Sequence, residues 1–365
     1  MRIKSSAPGR ICLFGEHQDY MGFPVIAGAI DMKINIEGNV SEGDAIKINL
    51  LDLNKKIEFS SKKIEYTIKR DYLKSSVKVL KKKNLFKHKS INVFIEGNIP
   101  IQSGTSSSSA LVVAWIGFLL GASPCFRNHL NDLNQIAELS YLAEVEEFKE
   151  KGGRMDHYVS ALGGIVYIDF YRGVKPFKLP VSMKEFVLGD SLQPKPTIKT
   201  LKRIRQGQEH GFKELSKLIK FKDNFHVKYE EAKPYLNNIC SDIRPYLRAA
   251  LMNHEITDKA RDEFLEKSPE IEKICDLMNK HHKTLRDDLK ISTPKIEKMI
   301  EKSLNAGALC AKINGSGEGG CMFAFCPGKQ EQVAEAIKSA GGRAHLINIG
   351  KGVEVKVLKN GNKRD

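Results

Sequence analysis

The chain has 365 residues, 41% hydrophobic and 28% charged, and its 59 basic side chains exceed 44 acidic ones to give a net charge of +15. That size and balance predict a soluble protein of two domains with sizeable cores, and neither an internal repeat nor a low-complexity tract is present. The longest apolar run, 110–120, is too short for a bilayer, no apolar signal core follows the N-terminal residues, and seven scattered cysteines lack any CxxC or zinc spacing, which together predict a cytoplasmic protein without structural disulfides or a zinc site.

The first motif is residues 7–22, APGRICLFGEHQDYMG. Ala-Pro-Gly reads as a turn and 11–14 as a short buried strand that Arg10 opens. Past Gly15, the side chains of Glu16, His17, Asp19 and Tyr20 crowd four hydrogen-bonding groups into five residues. Such a cluster suits the hydroxyls of a polyol; a solvated polar loop is the other reading. Arg10 either faces a phosphate or pairs with an acid. Residues 23–37 alternate apolar and polar and predict a strand with one wet face. Further strands are expected at 46–51 and 91–95, with a helix at 72–85 between them. This strand-rich stretch with added helices points to an α+β domain with a mixed sheet.

Residues 100–121 read PIQSGTSSSSALVVAWIGFLLG. Gly104 and Ser106, Ser107, Ser108 and Ser109 carry little bulk, so the backbone there can wrap a ligand. The apolar run that follows predicts a fully buried helix ended by Gly121. Its N-terminus offers free N–H groups and partial positive charge to a phosphate, although Ser and Gly there also fit an ordinary helix cap. No Gly-Lys-Ser/Thr follows, so this is not a P-loop.

A second helix is expected over 130–150, with Glu144 on its inner side and in need of a cation or metal partner. Glu146, Glu147 and Glu150 follow it, so a surface charge run competes. Gly152 and Gly153 free the backbone before Asp156, which is either a helix cap or a general base. A helical turn at 158–162 and a strand at 165–170 come next. Beyond a strand near 186 the chain turns helix-rich and basic to about residue 307. The expected division is therefore 1–185 and 186–365. Thr293 and Pro294 start a helix, with Thr293 as cap and Pro294 at the first position. Two short strands then flank Asn314-Gly-Ser-Gly-Glu-Gly-Gly. Glycines at 315, 317, 319 and 320 exceed what a tight turn requires, so close approach of a ligand competes with a plain hairpin. A helix at 330–339 and strands at 344–349 and 353–358 suggest a ferredoxin-like half. The basic stretches 62–89 and 195–222 read as solvated faces, or as a field attracting a small polyphosphate; no aromatic-basic nucleic-acid signature accompanies them.

Taken together, four segments in this order resemble the GHMP kinases, the small-molecule kinases that include galactokinase, homoserine kinase, mevalonate kinase and phosphomevalonate kinase. The resemblance covers residues 10–325. Arg10 with Gly15-Glu-His-Gln-Asp-Tyr20 is similar to the arginine-led G-E-H-x-D-Y signature of galactokinases. Pro100, Gly104, Ser107, Ser108 and Ala110 match the phosphate-binding motif P-x-x-x-G-x-x-S-S-x-A. Gly315, Gly317, Gly319 and Gly320 match G-x-G-x-G-G, and Gly153-Arg-Met-Asp156 matches the galactokinase G-x-M-D segment.

The resemblance implies a two-domain GHMP fold, with an N-terminal mixed-sheet domain, a ferredoxin-like C-terminal domain and the active site between them. It implies a galactokinase-like sugar kinase of carbohydrate metabolism that uses ATP and Mg2+. In that reading Asp156 accepts the hydroxyl proton and Arg10 stands beside it and the transferred phosphate. Glu16, His17, Asp19, Tyr20 and Gly153 bind the substrate. Gly104, Ser106, Ser107, Ser108, Gly315 and Gly317 bind the nucleotide, and Ser107 and Glu144 hold the metal. The partners implied are a sugar, phosphorylated at its anomeric hydroxyl, and MgATP, with no nucleic acid and no membrane, for a monomer or homodimer. Departures from the galactokinase pattern at Cys12, Gln18, Gln102, Thr105 and Asn314, and no Tyr-Asn-Arg segment after Asp190, leave galactose itself open beside a uronic acid, a pentose or a modified hexose. Mevalonate as acceptor and a non-catalytic ATP/sugar sensor are the alternatives.

Overall fold

The computed structural model describes residues 1–100, 104–150 and 152–358; Gln102, one of the departures above, lies outside them. Two sheets organise the chain. The larger is built on two long strands, β1 (Arg2–Phe14) and β2 (Val25–Ser41), with β3 (Ala45–Leu50), β4 (Lys55–Ser60), β5 (Ser90–Gly97), β6 (Ile165–Asp169) and β7 (Lys175–Lys178). β3 and β5 run parallel and their other neighbours antiparallel, so the sheet is mixed. The smaller is formed by β8 (Phe186–Asp190), β9 (Cys310–Ile313), β10 (Cys321–Phe325) and β11 (Arg343–Ile347), in the order β11-β8-β10-β9. The last strand, β12 (Glu354–Leu358), expected in the ferredoxin-like C-terminal half, instead pairs antiparallel with β1 at the edge of the large sheet.

Helix α1 (Tyr72–Lys82) packs beside α2 (Ser107–Ala122), which lies on β1 and β2. As its all-apolar surface requires, α2 is buried along nearly its whole length, and its Trp115 indole donates to Leu73 O at 3.0 Å. It does not stop at Gly121. Gly117 and Gly121 instead let β12 approach: a Cβ at Gly117 would stand 2.9 Å from the Val355 side chain. Termination falls at Ser123, held extended by the Pro124 that follows it.

The helix expected over 130–150 is broken into pieces. Asp132 caps α3 (Leu133–Tyr141) by accepting from Gln135 N, and a π-helical turn, Leu142–Glu146, follows. Then come α4 (Met155–Leu162), α5 (Thr197–Leu215), α6 (Tyr229–Ala232), α7 (Arg244–Leu265), α8 (Ile271–Asp287), α9 (Pro294–Asn305) and α10 (Gln330–Ser339). Thr293 caps α9 by accepting from Ile296 N, with Pro294 in its first turn. Helices α9 and α10 cover the small sheet, while α7 and α8 reach across to β1. Among the described residues no helix is long and apolar enough to cross a membrane.

Candidate functional site

The site lies where the ends of β1, α2, α4 and the β9–β10 hairpin meet. Arg10, on β1 and almost fully buried, joins two of the segments singled out from the sequence. Its Nε donates to Asp156 Oδ1 at 2.7 Å and its Nη1 donates to Gly104 O. The third segment closes on the same point. Asn314 Nδ2 donates to Gly104 O at 2.9 Å, and Asn314 Oδ1 accepts from Cys12 N at 2.9 Å. A Cβ on Gly315 would stand 2.9 Å from Gly104 O, and one on Gly104 2.8 Å from Asn314 O. With Gly104 at φ +92° and Gly315 at φ +76°, glycine meets both the contact and the backbone requirement. The three glycine-bearing turns therefore converge around one aspartate.

Ser106 does not cap the helix with its side chain. It precedes α2 in the left-handed region, φ 60° and ψ 42°. Its hydroxyl is buried without a partner among the described residues. A non-glycine residue held there, beside uncapped helix N–H groups, is strained in the manner of ligand-binding loops. Ser107 and Ser108 open the helix, Ser107 half-buried and Ser108 exposed.

Asp156 sits in the first turn of α4 and is not its cap. The cap comes from the first motif: Asp19 Oδ2 accepts from Met155 N at 3.3 Å, while Asp19 Oδ1 accepts from Tyr20 N at 3.0 Å. Gly153 makes this possible, since any Cβ there would overlap the Asp19 carboxylate. Removal from water, the largest influence, would raise Asp156, but Arg10 together with the neighbouring Ser106, which stops short of a well-formed hydrogen bond, outweighs it and holds the carboxyl below its ordinary value. Asp19 moves the other way, up to about 6, through desolvation and then the neighbouring Asp156 charge. Two adjacent carboxylates are thus pushed apart, the pattern that assigns separate roles to an acid pair.

Two members of the polar cluster, both expected on the substrate, face inward. Glu16 is 1% exposed and its Oε1 accepts from Lys312, itself 0% exposed on β9. His17 has both ring nitrogens engaged, Nε2 with Ser316 O at 3.2 Å and Nδ1 with the Tyr20 hydroxyl at 3.0 Å. Ser316 O only accepts, so Nε2 carries the proton and Nδ1 accepts from Tyr20. Burial lowers the His17 pKa to about 4, so the ring stays neutral near pH 7. The cause is local: positive φ at Gly15 (97°) and His17 (62°) turns these side chains into the protein while Asp19 and Tyr20 stay half-exposed.

The π-helical turn gives the four glutamates of its region different surroundings. Glu146 accepts from the Tyr141 hydroxyl, Glu147 pairs with Lys78 and Lys82, and Glu150 pairs with Arg70. Glu144 alone of the four is buried, its Oε2 at 2.8 Å from His157 Nε2 on the helix that carries Asp156. A carboxylate oxygen and the Ser107 hydroxyl are donors of the kind magnesium takes.

Lys195, Lys312 and Asn314 stand at this site without being among the site residues expected from the sequence. The signal at Lys195 was a cation set between Pro194 and Pro196 just after the first strand of the C-terminal half. At Lys312 the signal was a lone lysine in the otherwise apolar run 308–313 before the glycine hairpin.

The chain belongs to the GHMP kinases, a family of ATP-using phosphotransferases. Residues 71–164 match the GHMP kinases N terminal domain and 243–343 the GHMP kinases C terminal region, while residues 3–39 match the galactokinase galactose-binding signature. A mevalonate kinase of Thermococcus sibiricus is 31% identical, over 96% of each chain. A galactokinase of Haemophilus influenzae is 28% identical over 88% of this chain and 84% of that one. Lactococcus lactis galactokinase complexed with galactose has the same fold, with a TM-score of 0.81 at 20% identity over 97% of this chain and 95% of the other.

Proposed function

We propose that this protein transfers the γ-phosphoryl group of MgATP to a hydroxyl, in our reading the anomeric one, of a neutral monosaccharide. The observation that carries the reading is the pair of carboxylates, Asp19 and Asp156, bracketing Gly153 at the acceptor end of the site. Two acids there accept hydrogen bonds from hydroxyls and repel an anionic acceptor.

In this scheme the acceptor hydroxyl loses its proton to Asp156 as its oxygen bonds to the γ-phosphorus. The bond from that phosphorus to the β-phosphate oxygen breaks, and ADP leaves with the electron pair. An ionised Asp156 is a weak base, so its contribution is placement: Arg10 Nε fixes the carboxylate and Nη1 fixes the phosphate loop, leaving Nη2 for the transferring group. Gly104, Ser106, Ser107, Ser108, Gly315 and Gly317 surround the nucleotide phosphates through backbone N–H groups. Ser107 and Glu144 would hold magnesium, which supplies charge neutralisation on those phosphates. Asp19 and Tyr20 read the acceptor, and Glu16 and His17 hold their loop in place. The chain divides near residue 185, with the second half returning β12 to the first.

Mevalonate is the second reading, favoured by the 31% identity to a mevalonate kinase over nearly the whole chain. ADP release with MgATP, measured across neutral aldoses, uronic acids and mevalonate, separates the two. Turnover with a neutral aldose and none with mevalonate is expected. Preference for mevalonate transfers the assignment to the second reading, and silence with every acceptor overturns both.

A further inference from the structure

The connection from β8 to α5 is clamped along its length. Ser191 N donates to Gly320 O at 2.9 Å and Gly320 N to Gln193 O at 3.0 Å. The Thr293 hydroxyl donates to Gln193 Oε1 at 2.7 Å. Gly319 lies so close that a Cβ on it would stand 2.6 Å from Pro194 O. Pro194 and Pro196 fix the backbone on either side of Lys195. The lysine is therefore presented from a rigid strap of the C-terminal half, and its side chain crosses to the N-terminal half. Its Nζ lies 3.1 Å from where a Cβ on Gly104 would be, against the serine loop.

Other cations around this cleft have partners: Arg10 pairs with Asp156, Lys312 with Glu16, Arg203 with Glu318 and Arg205 with Glu209. Among the described residues Lys195 Nζ has neither a hydrogen bond nor an ion pair, although it stands within the field of the Arg10 guanidinium. Holding two cations beside each other at the mouth of a phosphate loop is unfavourable until an anion arrives between them. The facing titratable groups are Arg10, Asp156 and the Cys321 thiol; desolvation and then Arg10 bring the ammonium down to about 8.

We propose that Lys195 is a further catalytic residue, an ammonium that binds the γ-phosphate of ATP from the side opposite Arg10 and stabilises it during transfer. This rests on the ATP-kinase reading but not on the identity of the acceptor. Because the γ-phosphate distinguishes ATP from ADP, the contact is measurable without turnover. Calorimetric titration of the protein with ADP and with a non-hydrolysable ATP analogue, at fixed Mg2+, compares wild type, Lys195→Met and Lys195→Arg. Lys195→Met should weaken analogue binding about tenfold or more, and ADP binding by less than about twofold, as loss of one charge-assisted contact implies. Lys195→Arg should keep most of the analogue affinity. Equal weakening for both nucleotides, or none for either, overturns the proposal. Turnover of the wild type on the acceptor panel, run separately, reports on the kinase reading: discrimination between the nucleotides without turnover would sink that reading and leave the contact standing.

Discussion

At the scale of single residues, the site depends on keeping one partly buried carboxylate charged. Arg10 does so for Asp156 and simultaneously holds Gly104 O, so base and phosphate loop share one support. Asp156→Asn keeps the shape and removes the proton acceptor. It should bind nucleotide as wild type does and lose turnover by about 10²–10⁴-fold, measured by ADP release. Asp19 supplies a pH signature. Its carboxyl is held up near 6, so it takes a proton as pH falls through 6 and stops accepting a hydrogen bond from the acceptor. The expected outcome is that kcat/KM for the acceptor drops below pH 6, with kcat/KM for Asp19→Asn low and flat across that range. A limb that survives in Asp19→Asn belongs to another group.

At the scale of elements, what was legible in the sequence was local chemistry that leaves no choice. An apolar run with no polar side becomes a buried helix, and α2 does. Glycines in excess of a turn mark close approach, and Gly104, Gly153 and Gly315 each stand where a Cβ would collide. What was not legible depended on partners distant in the chain. Nothing in residues 142–146 announces a π-turn; it is the packing of α3 and this turn against α1 and α2 that turns Glu144 inward and leaves Glu147 to Lys78 and Lys82. Nor does Glu16 carry a mark that its partner is Lys312, nearly three hundred residues later. Two changes test the element geometry. Gly104→Ala should weaken nucleotide binding by at least about tenfold, because a Cβ there meets Asn314 O at 2.8 Å on a left-handed backbone. Glu144→Gln should raise the magnesium concentration giving half-maximal turnover, whereas Glu146→Gln, which loses only a contact with Tyr141, should not.

At the scale of the whole molecule, the question is what keeps the acceptor loop in register with the nucleotide hairpin. Hydrophobic packing joins them without direction; the Glu16–Lys312 pair adds direction. Lys312 Nζ donates to Glu16, to Cys12 O at 2.9 Å and to Ile313 O at 3.0 Å, so one ammonium ties the end of β1 and the loop beyond it to β9. His281 on α8 stands 3.6 Å from the other Glu16 oxygen, stacked on Phe14, and burial keeps its ring neutral. The ion pair therefore carries the charge balance of this interior point. Removing one partner strands the other, which typically costs about 3–5 kcal/mol, whereas removing both charges is far less damaging. Lys312→Met should accordingly lower the urea midpoint sharply. Glu16→Gln combined with Lys312→Met should recover most of the loss, since each side then needs only a modest hydrogen bond. If the pair sets register as well as stability, the double variant, though well folded, should still show a raised KM for the acceptor with little change for ATP. A single Lys312→Met variant as stable as wild type would show that the buried charges are screened, and would leave the two loops held together by packing alone.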